Sequence, residues 1–458
     1  MKVKVINRSA NEFTRETNQD IHRIKRNYDP NLHPFEFARE YKRALNAVKL
    51  DKIFAKPFIG CLSGHQESVN CLLKHPTSLP TLISGSCDGK IKLWNLINKK
   101  CFLTLDAHQT LVKSICCSNQ GEYFFSIGDN TIKQWKLVKA NQFENLIEND
   151  VEEDEDSYFV PVNTIVSKHL LTQADHHLNK PLIMTCGEKC ELWEENRSIP
   201  LTTFEWGSDT ICNVKFNPVE TDICVSAVGD RGIVLYDIRK SQPLKKVILK
   251  MRTNSICWNP MEGFVFTAAN EDHDLHTFDM RNMTKPLIIH KDHVSAVIDV
   301  DYSPTGKEFV SGGYDKTLRI FSVDNSRSRE VYHTKRMQRL NSVVWTLDNK
   351  YVISGSNEFD IRIWKSNASE KLGKLSRREE MNFRYQNKLK DKFSEFPEVK
   401  RIALHRHVPR HVYVQRKEKQ AIIASMNRKE RNIRAHTKPE KLKPIEEERK
   451  KSVIKEEI

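Results

Sequence analysis

The sequence predicts an all-β repeat domain between two helical, basic extensions, and three observations support this class. Seven stretches between residues 84 and 364 each combine a small-residue turn with alternating residues that end on an aromatic side chain. The aromatic ends recur at nearly constant spacing, at positions 94, 135, 193, 236, 278, 321 and 364. Helical patterns and excess Lys and Arg are found at the two ends of the chain. Alternation of period two is typical of strands, and a fixed repeat of this length indicates a repeat architecture.

The charge distribution divides the chain into three parts. Residues 1–57 contain 13 Lys or Arg and 7 Asp or Glu, and residues 365–458 contain 27 and 14. The net charge of the whole chain is +14, so residues 58–364 have a net charge of −5. We therefore expect a basic, partly helical N-terminal extension (1–57), a repeat domain (58–364) and a basic helical tail (365–458). An acidic body with basic ends indicates protein contacts by the body and polyanion contacts by the ends.

Membrane and disulfide-rich classes do not fit the composition. The first twenty residues lack the apolar core of a signal peptide, and no later apolar stretch is long enough to cross a bilayer, so we expect an intracellular protein without membrane contacts. The eleven cysteines lie between Cys61 and Cys257 without paired CxxC spacing. We expect reduced, mostly buried thiols and no metal.

The repeats share two further features. Six of them carry an acidic residue six places before the aromatic end, and the third has Gly187 there; the acids are Asp88, Asp129, Asp230, Asp272, Asp315 and Glu358. A Gly-His pair or a remnant of it precedes several turns, at 64–65, 107–108 and 292–293. Together with the period, these features resemble the WD-repeat family of β-propellers. The resemblance implies a seven-bladed propeller of four-stranded blades.

The first repeat is closest to the full WD signature. The resemblance implies that His65, Ser84, Asp88 and Trp94 form a buried hydrogen-bond network. A Ser, a His and an Asp could also suggest a hydrolytic triad, but a network that locks a blade turn is the better interpretation, because such motifs transfer poorly between folds. We predict no catalytic residue, no cofactor and no small-molecule substrate, and hence no enzyme.

Residues 56–62 precede the first Gly-His pair, where propellers of this type take their outermost closing strand. We expect this segment to pair with the last blade, 341–364, which closes the ring and removes exposed sheet edges. An acidic loop at 148–157, containing the run DVEEDED, separates the second and third blades. It is expected to be a solvated loop, with a contact to a basic partner as the alternative.

Both ends contain helical patterns. Pro34 opens a helix with Tyr41, Ala44 and Val48 on one face, and Pro57 bars its continuation. A capping box from Ser376 to Glu379 begins a second helix whose apolar stripe ends before Pro397. Pro409 can begin a third, more polar helix that runs to about Ala435.

The most basic segment, 400–420, holds seven Lys or Arg and three His around a single Glu. A metal site on His405, His407 and His411 is disfavoured, because the tail has no Cys and neighbouring arginines repel a cation. An acid/base site would need a carboxylate, and residues 399–417 contain none. The remaining interpretations are phosphate contacts and a basic helix docked on the propeller by its apolar face. For the first we predict six RNA-binding residues: Lys400, Arg401, Arg406, Arg410, Arg416 and Lys417.

The two segments that flank the repeats, 39–65 and 401–413, resemble the suppressor-of-fibrillarin type of WD-repeat protein. The resemblance implies a nucleolar, non-enzymatic component of the small-subunit processome, needed to process the 18S rRNA precursor. The expected partners are precursor rRNA, small nucleolar ribonucleoprotein and other processome proteins.

The same family is also grouped with substrate receptors of cullin-RING ubiquitin ligases. The motif behind that grouping, aromatic-Asp-x-Arg at a blade end, occurs at 236–239 and 278–281. It implies a ligase-adaptor contact through Arg239 and Arg281. Alternatively, both arginines form local salt bridges in repeat-closing turns. The ligase receptor is therefore the alternative function.

Overall fold

The computed structural model describes residues 29–137, 160–207, 209–240, 242–438 and 447–457. The chain divides into two units: a smaller one from residues 1–57 and 367–406, and a larger one from residues 58–366 and 407–458. The predicted tail 365–458 is thus shared between the two units. The predicted acidic loop 148–157 and residues 1–28 of the predicted N-terminal extension lie outside the described residues.

The larger unit consists of seven antiparallel sheets, which we number as blades one to seven in chain order. Blade one contains β2 (Val69–Lys74), β3 (Thr81–Ser86), β4 (Lys90–Asn95) and β5 (Lys100–Asp106); blade two contains β6 (Ser114–Cys117), β7 (Tyr123–Gly128), β8 (Thr131–Lys136) and β9 (Asn163–Val166). Blade three contains β10 (Gln173–His176), β11 (Leu182–Cys186), β12 (Cys190–Glu194) and β13 (Thr202–Phe204); blade four contains β14 (Ile211–Phe216), β15 (Ile223–Val228), β16 (Gly232–Asp237) and β17 (Lys245–Leu249). Blade five contains β18 (Thr253–Trp258), β19 (Val265–Asn270), β20 (Asp274–Asp279) and β21 (Ile288–Lys291); blade six contains β22 (Val297–Tyr302), β23 (Glu308–Gly313), β24 (Leu318–Ser322) and β25 (Ser328–Tyr332). Blade seven contains β26 (Leu340–Trp345), β27 (Tyr351–Ser356), β28 (Ile361–Lys365) and, from the start of the domain, β1 (Phe58–Leu62).

The blades form a closed ring. The first strands of successive blades contact one another, and β26 of blade seven contacts β2 of blade one. The closing strand β1 pairs antiparallel with β28, from Phe58 opposite Trp364 to Leu62 opposite Ile361. The seven-bladed all-β fold and the predicted closing strand are therefore confirmed. The added strand covers the edge that β28 would otherwise expose and makes β1 the outer strand of blade seven.

The recurring acidic residue closes the hairpin between the second and third strands of a blade. In blades one, four, five and six its carboxylate accepts a hydrogen bond from the backbone N–H two residues later, as between Asp88 and Lys90 at 2.9 Å. The next residue takes a left-handed conformation, with φ of 78° at Gly89 and 71° at Arg231. Such a side-chain turn replaces a backbone turn and explains why an acid recurs at this position. Gly187 in blade three has no carboxylate for this bond.

Apolar side chains from facing sheets fill the space between neighbouring blades. One such cluster joins blades one and two through Leu93, Phe124 and Trp135, all of which are buried. Burying one large apolar side chain contributes about 1.5–3 kcal/mol, so these interfaces supply most of the stability of the ring.

The smaller unit is helical. It contains the 3-10 turn Pro30–Leu32 and the helices α1 (Glu36–Ile53), α2 (Arg377–Lys392) and α3 (Pro397–Ala403). The predicted capping box is present, with Ser376 and Glu379 bonded reciprocally at the start of α2. Helix α2 ends at Lys392, before Pro397 is reached, and Pro397 begins α3, which the sequence analysis did not predict.

The apolar faces of the helices in the smaller unit cover each other. Ala44 and Val48 of α1 pack with Leu389, Phe393 and Val399 from the tail, and all five are buried. A hydrogen bond of 2.9 Å from the Tyr41 hydroxyl to Glu398 lies at the edge of this cluster. The two ends of the chain thus form one small hydrophobic core.

The rest of the tail belongs to the larger unit. Helix α4 (Arg410–His436) begins directly after Pro409 and ends one residue beyond the expected limit at Ala435. The 3-10 turn Lys450–Ser452 leads into β29 (Val453–Glu457), which pairs with β17 and adds a fifth strand to blade four. The sequence analysis expected a helical tail and did not foresee this strand. Among the described residues, no helix is long and apolar enough to cross a membrane.

Candidate interaction surfaces

Three of the four residues predicted for the blade-one network form one hydrogen-bond chain. The Ser84 hydroxyl lies 2.6 Å from Nε2 of His65 and accepts a hydrogen bond from Nε1 of Trp94 at 2.7 Å. Asp88 is used in its own turn, and among the described residues neither its Oδ2 atom nor Nδ1 of His65 has a hydrogen-bond partner. Burial, together with the charge of Lys92, lowers the pKa of His65 to about 4 against the pull of Asp88. The imidazole is therefore neutral near pH 7.

Equivalent chains occur in other blades. In blade two, His108 and Trp135 meet at the Ser126 hydroxyl with distances of 2.8 and 2.9 Å. In blade six, His293 joins Ser311 at 2.7 Å and Asp315 at 2.9 Å, so this blade completes the His-to-Asp link that blade one lacks. The three serines Ser84, Ser126 and Ser311 have no solvent-exposed surface. No substrate can reach them, and the chains are structural.

A cavity of about 410 Å³ lies along the first strands of the blades. Two of the lysines that line it pair with aspartates: Lys74 contacts Asp301 at 2.9 Å, and Lys215 contacts Asp175 at 3.0 Å. Burial raises the pKa of Asp299 to about 6, although the carboxylate accepts bonds from Ser255 and two backbone N–H groups. No group of three or more His, Cys, Asp or Glu in the described part of the chain is arranged to hold a metal ion. The two lysine–aspartate pairs thus join the first strands of different blades across this cavity.

The first half of α4 lies against blades five and six. Val412 is completely buried, Nε2 of His411 lies 3.2 Å from the carbonyl oxygen of Asp315, and Arg416 lies 3.7 Å from Asp292. Further along, the Lys419 ammonium donates to Nδ1 of His273 at 2.8 Å. Burial and the charge of Lys419 lower the pKa of His273 to about 4, so this imidazole is a neutral acceptor. These propeller partners of α4 were not identified from the sequence, where they read only as turn and loop residues.

The six predicted RNA-binding residues fall into both units. Lys400 and Arg401 lie in α3 and Arg406 follows it, all in the smaller unit, whereas Arg410, Arg416 and Lys417 lie on α4 in the larger unit. Arg410 and Lys417 are exposed, and the Lys417 ammonium lies 4.8 Å from the centre of the Tyr413 ring. Arg416 is two-thirds buried and faces Asp292, so the structure uses it for docking α4.

The three tail histidines lie in different surroundings. His405 belongs to the smaller unit and His407 and His411 to the larger. The ring of His407 stacks on His333 with centroids 5.2 Å apart, and His411 contacts the backbone of blade six. These contacts engage His407 and His411 in packing α4 and the residues before it against the propeller.

The two predicted ligase-contact arginines occupy equivalent positions in neighbouring blades. Arg239 follows β16 and Arg281 follows β20, and 64% of each side chain is exposed. Each forms an ion pair with the Asp two residues earlier, at 3.1 Å for Asp237 and 2.8 Å for Asp279. The Arg281 guanidinium also lies 4.3 Å from the centre of the Phe264 ring. Each arginine therefore forms a local salt bridge and still exposes enough of its side chain to contact a partner.

Comparisons with known proteins match both parts of the chain. Residues 366–453 match the Sof1-like domain, and residues 56–95, 99–136, 284–322 and 330–365 match the WD domain, G-beta repeat. Proteins named "DDB1- and CUL4-associated factor 13" from Xenopus tropicalis and Homo sapiens are each 52% identical over 455 residues, covering 99% of both chains. The protein of that name from Dictyostelium discoideum is 46% identical over 435 residues, covering 94% of this chain and 95% of its own. The crystal structure of the WD40 β-propeller domain of Doa1 superposes with a TM-score of 0.56 at 18% identity, over 68% of this chain and 98% of that one, and supports the fold alone.

Proposed function

Because the chain belongs to the Sof1-like family of WD-repeat proteins, we propose that it is a non-enzymatic assembly factor of the small-subunit processome, needed to process the 18S rRNA precursor. It acts in the nucleolus as a WD-repeat scaffold. The propeller docks proteins, and the basic ends contact precursor rRNA, small nucleolar ribonucleoprotein and neighbouring processome proteins.

The observation that carries this proposal is the way α4 is held. One side of the helix is fixed to the propeller by Val412, Arg416 and Lys419, while Arg410 and Lys417 are exposed. A helix that is already ordered binds without the entropic cost of ordering its backbone. In the second half of α4, Arg428, Lys429 and Arg431 extend the exposed basic surface. This arrangement suits the sugar-phosphate backbone of RNA.

The cellular experiment is depletion of the protein. We expect unprocessed 18S precursor to accumulate while large-subunit rRNA continues to mature, because the proposed role is confined to one subunit. Northern analysis of both precursors measures this. Equal loss of both subunits would contradict the proposal.

The RNA contact is tested separately by salt titration of purified protein on single-stranded RNA. Each phosphate neutralised contributes about −0.7 to the slope of log affinity against log salt. Replacing Lys400, Arg401, Arg406, Arg410 and Lys417 by Gln should flatten the slope by up to about 3.5 and weaken all sequences alike.

The matched control is Arg416→Gln, which removes the same charge from a residue that faces Asp292. We expect the salt slope of this variant to equal that of the unmodified protein, because Arg416 is engaged with the propeller and does not contact phosphate. A fivefold variant that binds RNA as strongly as the unmodified protein would exclude these residues as the contact.

A second candidate, substrate receptor of a cullin-RING ubiquitin ligase, is favoured by the exposure of Arg239 and Arg281. The relatives are themselves named for association with DDB1 and CUL4. Replacing both arginines by Ala should abolish pull-down of DDB1, while the melting temperature changes little. Arg327→Ala, an exposed arginine of blade six outside the motif, is the matched control and should bind normally. If the unmodified protein does not retain DDB1, the receptor function is excluded.

A further inference from the structure

Blade four differs from the other blades by its fifth strand. Within the described residues, every other blade has four strands, whereas the outer strand β17 of blade four is covered by β29. Lys246 pairs with Glu457, Val247 with Glu456, Ile248 with Lys455 and Leu249 with Val453. The backbone N–H of Lys250 continues the contact to the carbonyl oxygen of Ser452 at 3.2 Å. A segment about 200 residues away in sequence thus completes this sheet.

The edge of β17 is suited to binding a strand. Its sequence, KKVIL, ends in three consecutive apolar residues, and it is five residues long. The outer strands of blades two, three and five are shorter, with three or four residues each. Short edge strands resist pairing with other chains, whereas a long apolar edge is a template for it. The outer strands of blades one, six and seven are five to seven residues long and have no fifth strand among the described residues, so length alone does not require a cover. The outer edge of β17 is distinguished by the strand that it accepts, β29.

Two side chains of β29 match the edge. Val453 packs against the apolar cluster between blades four and five, and Glu456 forms an ion pair with Lys245 in which both side chains are less than one-fifth exposed. The neighbouring Lys246 is already paired with Asp230 in the blade's own turn, so Lys245 is the cation available to an added strand. A strand that pairs with this edge is therefore expected to carry an apolar residue and, three positions later, a carboxylate.

Strand β29 is held by its ladder with β17, by the contact of Val453 and by the ion pair of Lys245 with Glu456. Ile454 is 58% exposed, and the preceding pairs Lys285 with Glu447 and Lys291 with Glu448 join largely exposed side chains. Exposed ion pairs contribute little, and one edge strand adds only a few ladder bonds. The advantage of β29 over an external strand is its covalent connection, equivalent to an effective concentration on the order of millimolar.

We propose that the outer edge of β17 is an acceptor site for an extended segment of a partner protein, occupied in cis by residues 453–457 until that segment displaces them. The partner segment carries a branched apolar residue and, three positions later, Asp or Glu. Backbone hydrogen bonds supply affinity, and the pocket for the apolar residue and Lys245 supply specificity, as in other cases of strand addition.

The test uses the full-length chain and a fluorescently labelled synthetic peptide with the sequence of residues 447–458. The tethered strand of the unmodified protein competes with the peptide, so we expect no saturation below millimolar peptide. In a full-length variant with Val453→Asp and Glu456→Lys the edge is free, and the peptide should bind at least tenfold more tightly. Fluorescence anisotropy measures both.

A charge exchange distinguishes specific strand pairing from nonspecific binding of the peptide. The same peptide carrying Glu456→Lys should fail to bind the tail variant, because its lysine faces Lys245. In a second full-length variant, with Val453→Asp, Glu456→Ala and Lys245→Glu, the lysine peptide should bind, because its lysine then faces a carboxylate while the tethered strand has no charge to pair with it. Equal binding of both peptides, or equal binding by the unmodified protein and the tail variant, would overturn the proposal.

Hydrogen exchange of the unmodified protein tests whether the strand is released. The amides of β29 should exchange at least tenfold faster than those of the central strand β15, because β29 opens without unfolding the ring. Equal protection of the two strands would contradict displacement.

Light scattering distinguishes a partner segment from a second copy of the chain. A concentration-dependent dimer of the unmodified protein that the tail variant does not form would overturn the proposal in favour of strand exchange between copies.

Discussion

Replacing Ser84 by Ala should destabilise the propeller more than the loss of one hydroxyl group suggests. The Ser84 Oγ atom joins Nε2 of His65 and Nε1 of Trp94, at 2.6 and 2.7 Å. Ser84 is completely buried, His65 is 7% exposed and Trp94 is 1% exposed. Without the hydroxyl, both rings retain a polar nitrogen that water cannot reach.

The magnitude follows from the number of groups left unpaired. Each buried polar group without a partner costs about 1–3 kcal/mol, so Ser84→Ala, which leaves two such groups, should cost about 2–6 kcal/mol. Blade seven provides a matched control, because the equally buried Ser354 accepts a hydrogen bond from Nε1 of Trp364 at 2.9 Å and, within the described residues, joins no histidine. Ser354→Ala should therefore cost about 1–3 kcal/mol, roughly half as much.

Equilibrium urea unfolding of both variants, followed by tryptophan fluorescence, measures the difference. Total stabilities of folded domains are roughly 5–15 kcal/mol, so the expected losses are well resolved. Equal losses for the two variants, or a loss below about 1 kcal/mol for Ser84→Ala, would refute the proposed contribution of the His65 contact.

Three further predictions concern stability. The pKa of His65 falls from 6.5 to about 4 on folding, mainly through burial, so the unfolded chain binds more protons and stability is lost as the pH falls through this window. His65→Gln should therefore remove about 2 kcal/mol of the loss in unfolding free energy between pH 7.5 and pH 5. An unchanged pH profile in urea unfolding would contradict this. Arg231 has a φ of 71°, so Arg231→Gly should raise the unfolding free energy by about 0.5–1 kcal/mol. Gly89→Ala should lower the unfolding free energy, because the new Cβ would lie 2.1 Å from the carbonyl oxygen of His108. The same sign for both changes would be inconsistent with the turn geometry. Leu389→Ala in the smaller unit should lower the unfolding free energy by about 2–5 kcal/mol and speed hydrogen exchange of α2. Replacing the exposed Leu375 by Ala should change both quantities little. Equal effects of the two changes would mean that the α1–α2 core does not stabilise this unit.

Much of the fold could be predicted because its signals are local. Alternating residues and a terminal aromatic recur in each blade, and a turn acid recurs in six of the seven. These signals define the strands and their hairpins within about ten residues of chain. The capping box at Ser376 and the proline before α4 likewise mark helix starts through their own backbone geometry. The candidate site was less accessible, because an exposed arginine and a docked arginine have the same sequence signal. Arg416 and Lys417 are neighbours on α4, yet one faces Asp292 and the other is exposed.

The sequence by itself determined the number of blades, the closing strand, the helical character of both ends and the position of the basic charge. Only the tertiary structure decided which distant segments meet. It brings α1 against α2 and α3, more than 300 residues apart, and lays α4 across blades five and six. It also adds β29 to blade four and leaves Asp88 bonded to its own turn rather than to His65. The physical reason is that periodicity specifies which face of an element is apolar, whereas the partner of that face depends on which other faces the closed ring leaves uncovered.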